Sequence, residues 1–471
     1  MPKRRLRLVA LPVLVVLAAV AGCQTGPVRS ASAPPKTWQR VALGWCEDYP
    51  EETRTLQAAE RDLQRARESG ARVLRIAFGW DAMEPERGVY DWSFWDQFVP
   101  IAVERHGLRL IPYVCYTPQW AAQDGGENFW RSPPRDPEDF RRFVAALTAR
   151  YGRWIDSWEL WNEPDNPAYW TGDTEEFAAL VRAGSDGVRQ GDPVAEVVLG
   201  GLAWNLSFLR DLLEDHAIAP AIDVVNVHSY FETWHADAIE TLPNYLSGAA
   251  EIIAAHGDGE PLWMAEVGYS SRGNSAQTSE VYRPRYDTEH TMEAQASALA
   301  RTLVVALATE RLSLLAWYRI NDLPPSQEVI GDDNNLHLGL FDVTGGPKPA
   351  LETYRRLTRL FEQPFRVNPA LVSILNSPEV PVDYRAFELV DGRALVAVWL
   401  PATDSPARTG PESDPRHATL RLRVHRPRAQ LLEAAYAPAR STISARSHGS
   451  AHGLDIDVPL HGGDVALLLI R

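Results

Sequence analysis

Two glutamates at the ends of predicted strands are the residues of this sequence best suited to chemistry. Glu163 lies in the stretch WELWNEPDNPAYW, residues 158–170, and Glu266 lies in PLWMAEVGYSS, residues 261–271. A retaining glycosidase needs such a pair, because one carboxyl protonates the leaving oxygen while the other attacks the anomeric carbon. The alternative is a strand end that runs into a surface loop, with the nearby tryptophans filling the core.

Short apolar runs that alternate with helical patterns predict the elements that would hold these glutamates. The runs cover residues 41–44, 72–78, 108–116, 155–161, 196–201, 222–228, 261–267 and 312–319. Eight strands alternating with helices predict an α/β fold, a (β/α)8 TIM barrel. A doubly wound sheet is the alternative, but no glycine-rich phosphate-binding pattern follows any run. Active sites of such barrels lie at the C-terminal ends of the strands, where Glu163 follows the fourth run and Glu266 ends the seventh.

The sequence changes character after the barrel. Alternating or clustered apolar residues predict further strands at 386–390, 394–399, 418–424 and 465–470, separated by stretches rich in Pro, Gly, Asp and Ser. We therefore expect a catalytic barrel over residues 37–362 and a small C-terminal β-sandwich over 363–471. The sandwich has no carboxylate pair of its own, so its expected role is stability or substrate alignment.

The N-terminal residues have the pattern of an export signal. Residues 1–22 combine a basic start with an apolar run that is too short to span a membrane. Small residues just before Cys23 resemble the bacterial lipoprotein processing box, which implies cleavage before Cys23 and attachment of lipid to it. An ordinary signal peptide is the alternative. Residues 23–36 would form a flexible tether. We expect an exported, lipid-anchored protein, and Gln24 favours the periplasmic face of an outer membrane.

Charge and composition disfavour nucleic acid and polyanionic partners as the default, although they leave room for a local basic subsite. The formal charge of −15 becomes −19 after removal of residues 1–22, which disfavours nucleic acid. Cys46 and Cys115 could pair, or remain as two buried free thiols. Patterns typical of zinc, redox and serine-hydrolase sites are absent, so we expect no metal and no cofactor. The sequence leaves the oligomeric state open.

Several stretches resemble glycoside hydrolase clan A. The tetrapeptide WNEP at 161–164 on a fourth strand, with a glutamate ending a seventh strand, is typical of that clan. WELWNEPDNPAYW together with VNVHSY at 225–230 is most similar to family 39, which contains β-xylosidases and exopolysaccharide hydrolases, with the cellulase-containing family 5 as neighbour. GWDAMEPERGVYDW at 79–92 and TPQW at 117–120 also resemble clan sequences. The resemblance covers residues 41 to about 360.

The resemblance implies roles for individual residues. Glu163 would be the acid/base, Glu266 the nucleophile, and Asn162 a donor to the sugar 2-hydroxyl. The physical chemistry agrees, because an acid needs an apolar setting to keep its proton, and Trp161 and Pro164 would supply one.

Other candidates follow from their positions on the strands. Arg75 points inward as a donor to the nucleophile or forms a surface salt bridge. Tyr230 would donate to Glu266, and His228 is either a site residue beside it or a structural histidine. Glu159 is expected to be a buried, hydrogen-bonded support. Tryptophans are expected to bind sugar rings: Trp317 as the floor of the subsite, with Trp80, Trp120, Trp204 and Trp234 in further subsites.

These observations predict an O-glycosyl hydrolase that cleaves β-glycosidic bonds of an oligo- or polysaccharide through a covalent glycosyl-enzyme. The alternative is a non-catalytic lipoprotein that binds polysaccharide on the same barrel. The presence of both carboxylates favours the enzyme, because a binding protein has no need of both. The expected partners are a carbohydrate substrate and a membrane held through the lipid. Xylose, glucose, uronic acid and mixed exopolysaccharides all remain open as substrates.

Overall fold

The computed structural model describes residues 37–48, 55–235, 237–273, 288–327, 329–402, 410–438, 446–450 and 453–471. The predicted signal at 1–22, the tether at 23–36 and the lipidation site Cys23 lie outside the described residues. Among the helices of the described ranges, none combines the length and the apolar character that a membrane crossing requires.

Eight parallel strands form a barrel, and each of the eight predicted runs overlaps one of them. The strands are β1 (Ala42–Glu47), β2 (Val73–Gly79), β3 (Arg109–Cys115), β4 (Ser157–Asn162), β5 (Glu196–Gly201), β6 (Val225–Ser229), β7 (Leu262–Val267) and β8 (Leu312–Tyr318). Their order is β5-β4-β3-β2-β1-β8-β7-β6, and bridges Val198–Val224 and Leu202–Val227 join β5 to β6. The predicted (β/α)8 barrel is confirmed.

Helices follow the strands around the outside of the barrel. They are α1 (Leu56–Glu68), α2 (Trp80–Met83), α3 (Trp95–Pro100), α4 (Pro137–Tyr151), α5 (Thr174–Gly191), α6 (Leu206–Glu214), α7 (Leu242–His256), α8 (Met292–Ala308) and α9 (Pro349–Phe361). Helix α5 begins with a capping box: Glu176 N donates to Asp173 Oδ1 at 2.9 Å, and Asp173 N donates to Glu176 Oε2 at 3.0 Å. Two backbone donors at the helix start are thereby satisfied.

Strand residues alternate between two cores, as the period of two requires. Outward-facing residues such as Leu315 and Trp317 pack with the helices in the larger core. Inward-facing residues such as Cys46, Ala316 and Tyr318 fill the barrel interior. A residue's parity on its strand therefore decides whether it can reach the barrel mouth.

The C-terminal residues form two antiparallel sheets. The strands are β9 (Phe365–Val367), β10 (Val372–Ile374), β11 (Asp383–Leu389), β12 (Ala394–Trp399), β13 (His417–Val424), β14 (Leu431–Ala437), β15 (Arg446–Ser450), β16 (Gly453–His461) and β17 (Val465–Ile470). One sheet has the order β10-β13-β16-β15 and the other β14-β17-β12-β11-β9. Residues from both sheets, among them Val396, Leu422, Ile456 and Leu468, share one apolar core. The arrangement is a β-sandwich.

The five-stranded sheet of the sandwich packs on the barrel helices. Phe387 and Leu395 of this sheet belong to the same apolar cluster as Phe361 at the end of α9. A hydrogen bond of 2.8 Å from Trp399 Nε1 to Glu240 Oε1 adds a polar contact between the sheet and the barrel. Trp38–Arg471 consequently form one compact unit.

Candidate active site

Glu163 and Glu266 face one pocket at the C-terminal mouth of the barrel. An oxygen of each carboxylate lies within 4.8 Å of the other and of a ring nitrogen of His228. The pocket has a volume of about 620 Å³, within the range of roughly 300–1,000 Å³ that is typical of ligand sites. Retaining glycosidases hold their carboxyls about 5–5.5 Å apart, and inverting ones hold them about 6.5–9.5 Å apart. The observed proximity fits the retaining geometry.

The backbone at the end of β4 turns two consecutive side chains into the pocket. Trp161 and Glu163 both have left-handed backbone conformations, with φ of 82° and 45°. In a regular strand Asn162 and Glu163 would point to opposite faces, yet both line the pocket. Left-handed conformations of residues other than glycine cost of order 1–3 kcal/mol each and cluster at functional sites. The strain here aims Glu163 and Asn162 at the same cavity.

Glu266 receives hydrogen bonds on both carboxylate oxygens. The Tyr230 hydroxyl donates to Oε1 at 2.7 Å, and Arg75 Nη1 donates to Oε2 at 2.7 Å. The Cys46 thiol lies 3.5 Å from Oε2, and burial raises its pKa, which keeps it a donor. Burial also raises the pKa of Glu266, while the positive charge of Arg75 opposes that rise. These donors favour the ionised form that a nucleophile needs.

Glu163 has a different environment, which favours its protonated form. Its Oε1 lies 3.0 Å from His228 Nδ1, and Asn166 Nδ2 donates to its Oε2 at 2.9 Å. Burial, reinforced by the negative charge of Asp165, raises the pKa of Glu163 to about 8. A carboxyl with this pKa holds its proton at neutral pH and can deliver it to a leaving group.

Arg75 lies inside the barrel and contacts both Glu266 and Asn162. The structure places it inside the barrel: Nε donates to Glu159 Oε2 at 2.7 Å, and Nη2 donates to Glu159 Oε1 and to Asn162 Oδ1, both at 2.8 Å. Glu159 also accepts from Gly201 N at 2.8 Å. The two-pronged pairing with Glu159 fixes the guanidinium and, through it, the orientation of Glu266 and Asn162.

His228 sits between the two glutamates. Its Nδ1 is 3.0 Å from Glu163 and 3.8 Å from Glu266 Oε2. Burial lowers its pKa, so the ring is neutral at physiological pH. Its Nε2 packs so closely on the backbone of β5 that a side-chain carbon at Gly201 would lie 2.0 Å from it. Glycine at position 201 therefore makes room for the ring that contacts the acid.

The same three side chains are the group among the described residues that could hold a metal ion. Arg75 lies 2.7 Å from Glu266 Oε2 and carries a positive charge that would repel a cation there. Tyr230 already donates to the other oxygen. The donors around Glu266 thus suit an anionic carboxylate that reacts with carbon better than one that binds a metal.

Three of the tryptophans predicted to bind sugar do not line the pocket, and burial rules out that role for two of them, Trp317 and Trp80. Trp317 is buried in the outer core because it faces the helices, whereas its neighbour Tyr318 faces the interior and lines the pocket. Trp80 is buried against Phe140 and Phe143. Trp120 packs on Trp80 and donates from Nε1 to Glu84 O at 2.8 Å. These tryptophans lie where they do because of strand parity and packing against the helices, and not because they line a pocket.

Other aromatic residues line the pocket instead of these three tryptophans. Trp204 and Trp234 line the pocket as predicted, and Trp204 is 42% exposed at its edge. Further aromatic residues that were not predicted line the pocket wall, namely Tyr113, Tyr116, Trp130, Tyr169 and Tyr318. The alternation of side chains along β8 could have indicated that Tyr318 points into the barrel. Trp130 and Tyr169 lie in loops, where no regular alternation indicates the direction of a side chain.

Two polar residues next to Glu163 were also missed. Asn166 donates to Glu163, and Asp165 accepts backbone hydrogen bonds from Ala203, Trp204 and Asn205 at 2.8, 3.0 and 2.8 Å. Asp165 thereby ties the loop after β4 to the loop after β5, which carries Trp204. Their position in NEPDN, directly after the acid, was the available signal. Cys46 and Cys115 are two buried thiols and do not form a disulfide with each other.

Known proteins similar to this chain are glycoside hydrolases. Residues 48–140 match a family model described as glycosyl hydrolase family 42, beta-galactosidase. A curated relative, mannan endo-1,4-beta-mannosidase 8 of Oryza sativa subsp. japonica, is 24% identical over 281 residues, covering 48% of this chain and 73% of the relative.

Solved structures resemble the whole described unit. A family 39 glycoside hydrolase from Bacteroides cellulosilyticus WH2 has a TM-score of 0.63 at 15% identity, covering 91% of this chain and 81% of that one. A monomeric beta-xylosidase from Caulobacter crescentus CB15 has a TM-score of 0.60 at 18% identity, covering 92% and 96%. The fold is that of clan A glycoside hydrolases, so the resemblance predicted from WNEP is confirmed.

Proposed function

We propose that the protein is a retaining glycoside hydrolase that cleaves β-glycosidic bonds, with Glu163 as acid/base and Glu266 as nucleophile. The observation that carries the proposal is the pair itself: two carboxylates within 4.8 Å in one pocket, of which Glu163 has a pKa of about 8 while Glu266 is surrounded by donors. Unequal environments of this kind assign one carboxyl to proton transfer and the other to attack.

The reaction runs in two steps. A Glu266 oxygen attacks the anomeric carbon, the bond to the leaving oxygen breaks, and that oxygen takes the proton of Glu163. In the second step Glu163, now ionised, removes a proton from water; the water oxygen attacks the anomeric carbon, and the bond to Glu266 breaks. Each step restores the charge that the other requires, because the proton returns to Glu163.

Arg75 and Asn162 support both steps. Arg75 holds Glu266 at 2.7 Å and Asn162 Oδ1 at 2.8 Å, and this second contact turns the Asn162 amide nitrogen away from the guanidinium. A hydroxyl of the reacting sugar can therefore accept from that nitrogen. Hydrogen bonds to the sugar 2-hydroxyl that strengthen in the transition state are worth several kcal/mol in such enzymes.

Chemical rescue tests the assignment of Glu163. On an activated aryl glycoside, Glu163→Gln should form the glycosyl-enzyme and accumulate it, because the general base is missing. Azide needs no base, so it should restore turnover and give a β-glycosyl azide. Glu84→Gln is a matched control: Glu84 accepts from Trp80 Nε1 outside the pocket, and this variant should show neither accumulation nor rescue. Failure of azide with a substrate that the wild type cleaves contradicts the assignment.

The non-catalytic alternative makes the opposite prediction. A polysaccharide-binding protein would be inert on every aryl glycoside and oligosaccharide while still binding polymer. Binding without turnover by the intact protein, across a panel of xylosides, glucosides, galactosides and mannosides, would replace the enzyme by the binding protein.

The pocket wall supports action within a chain of sugars. Trp130, Trp204 and Trp234 lie beyond different strands, and aromatic faces at several points of a 620 Å³ pocket provide for more than one sugar ring. Product analysis separates the modes. Oligosaccharides released early from a long polymer support internal cleavage, whereas monosaccharide as the sole early product supports an exo-acting pocket.

The N-terminal pattern supports a lipid anchor at Cys23 and a position on the periplasmic face of the outer membrane. The support is the basic and apolar composition of residues 1–22, the small residues before Cys23, and Gln24 after it. Cys23→Ser should lose incorporation of labelled palmitate and move the protein from the membrane fraction to the soluble fraction. Unchanged labelling of that variant contradicts the anchor.

A further inference from the structure

A carboxylate in the pocket is not used by the two-step reaction. Asp48 directly follows β1 and lines the pocket together with Tyr113 and Tyr318. Its Oδ1 accepts from the Tyr113 hydroxyl, and its Oδ2 accepts from the Tyr318 hydroxyl. Two donors from β3 and β8 thus hold the carboxylate in one orientation.

This wall adjoins the predicted nucleophile. Cys46, two residues before Asp48 on the same side of β1, has its Sγ 3.5 Å from Glu266 Oε2. Two residues of strand advance the chain by roughly 7 Å, which places Asp48 nearer the mouth than Glu266. The Tyr113 ring also covers the Arg75 guanidinium at 4.0 Å. A sugar ring bound at Glu266 would therefore extend towards Asp48.

Asp48 has acceptor capacity left for such a sugar. A carboxylate offers about four lone-pair positions, and each oxygen of Asp48 uses one for a tyrosine. The side chain is 23% exposed, and this surface faces the pocket. Each oxygen can therefore accept one more hydrogen bond from a hydroxyl.

The positive charge of Arg319, which lies next to Asp48, does not make this part of the pocket a binding site for an anion. Arg319 also lines the pocket, but it is paired with Glu47 and lies 3.8 Å from Asp48 Oδ2. Its Nη1 donates to the Tyr318 hydroxyl at 3.1 Å. The positive charge is thus directed at carboxylates of the protein itself. A substrate carboxylate placed here would meet the like charge of Asp48.

We propose that Asp48 binds non-reacting hydroxyl groups of the sugar whose bond is cleaved, and that it restricts this sugar to neutral glycosyl residues and excludes uronic acids. The inference rests on the proposed function, since it concerns the substrate of the same site. If the inference is correct, the substrate is a sugar that carries hydroxyl groups and no charged group on the side of the ring that faces β1.

The test compares two aryl glycosides that differ in one group. The first is the neutral aryl glycoside with the highest kcat/KM, and the second is the matching uronoside, which carries a carboxylate on C5. The wild type should prefer the neutral compound by at least about 100-fold, because the carboxylate meets a like charge instead of a hydrogen bond. A wild type that cleaves both equally well overturns the inference and leaves the proposed function standing.

Asp48→Asn keeps the size of the side chain and removes its charge. It should lower kcat/KM for the neutral glycoside roughly 10- to 100-fold, the range for a lost hydrogen bond to a charged group. The ratio of neutral to uronoside activity should also fall about tenfold. Asp457→Asn, which removes a surface partner of Arg421 in the sandwich, is the control and should leave the ratio unchanged. An Asp48→Asn enzyme with the wild-type ratio contradicts the role of Asp48.

A binding experiment separates this inference from the reaction. Glu266→Gln cannot turn over, so both aryl glycosides can be titrated into it calorimetrically. Tighter binding of the neutral compound supports the inference even where Asp48→Asn fails to fold or the wild type proves inert, and inertness on all glycosides would count against the proposed function alone. Equal or tighter binding of the uronoside overturns the inference.

Discussion

Two buried arginine–carboxylate clusters in this barrel differ in what surrounds them. At the mouth, Arg75 pairs with Glu159 and Glu266. On the outside, Arg301 of α8 pairs with Glu232 at 2.6 Å and with Glu240 at 3.1 Å. Both clusters combine one guanidinium with two carboxylates and almost no exposed surface. Burial and ion pairing alone therefore do not distinguish a catalytic cluster from a structural one.

The difference lies in the space next to each cluster. The pocket at Glu266 measures about 620 Å³, whereas the cavity lined by Arg301 measures about 10 Å³, room for about one water molecule. In addition to its pairing with Arg301, Glu240 accepts a hydrogen bond from Trp399 Nε1 of the sandwich at 2.8 Å. The outer cluster links the two parts of the molecule, and the inner one presents a carboxylate to a ligand.

The largest effect is expected at the inner cluster. Glu266→Gln should lower kcat by at least about 10⁴-fold, because an amide cannot form the glycosyl-enzyme. Its melting temperature should stay near that of the wild type, because Arg75 keeps its two-pronged pairing with Glu159. The amide oxygen can still accept from Arg75, and the amide nitrogen can donate to the Tyr230 hydroxyl. Steady-state kinetics and a thermal melt measure the two quantities. Turnover within tenfold of the wild type would mean that Glu266 is not the nucleophile.

The outer cluster should respond in the opposite way. Glu232→Gln leaves Arg301 buried with a weakened partner, and breaking a buried pair costs about 3–5 kcal/mol of unfolding free energy. Activity per folded molecule should stay within about threefold of the wild type, because Glu232 does not line the pocket. Denaturant unfolding monitored beside activity checks both. Loss of activity without loss of stability would make the comparison between the clusters invalid.

The smallest effect is a pH dependence of the inner cluster. Glu163 must be protonated to act, and its pKa is about 8. On a substrate with a poor leaving group, kcat/KM should be lost as the pH rises through about 8, falling about tenfold per pH unit above it. At low pH, activity should fall as Glu266 becomes protonated. Glu163→Gln, assayed on an activated substrate with azide, should lack the alkaline limb, and a limb that persists would belong to another group.

Much of the barrel was predictable because its strands are buried and bounded by clear helical patterns. All eight predicted runs overlap a strand of the barrel. In the sandwich, β12 and β17 were predicted with their observed bounds, but β9, β10, β14, β15 and β16 were missed. Strands β9 and β10 have three residues each, and β15, RSHGS, has no apolar residue, so cross-strand pairing rather than a local pattern defines these three.

The site was predictable where strand ends fixed it, as for Glu163 and Glu266, and unpredictable where direction mattered. Trp317 was expected in the pocket because it lies on β8, but parity gives that place to Tyr318. Asp48 carried no sequence signal, since its importance comes from Tyr113 and Tyr318 on two other strands. Contacts between residues that are far apart in the sequence can be identified only from the three-dimensional structure.

The most direct test of the central claim is trapping of the covalent intermediate on the wild-type enzyme. A 2-deoxy-2-fluoro β-glycoside with a good leaving group should form the glycosyl-enzyme and release it slowly, because the fluorine destabilises the positively charged transition state of both steps. Peptide mass spectrometry should then place the sugar on Glu266, in the peptide that contains AEVG. A label on Glu163 or Glu159, or release of product with inverted configuration and no label, would contradict the retaining pair.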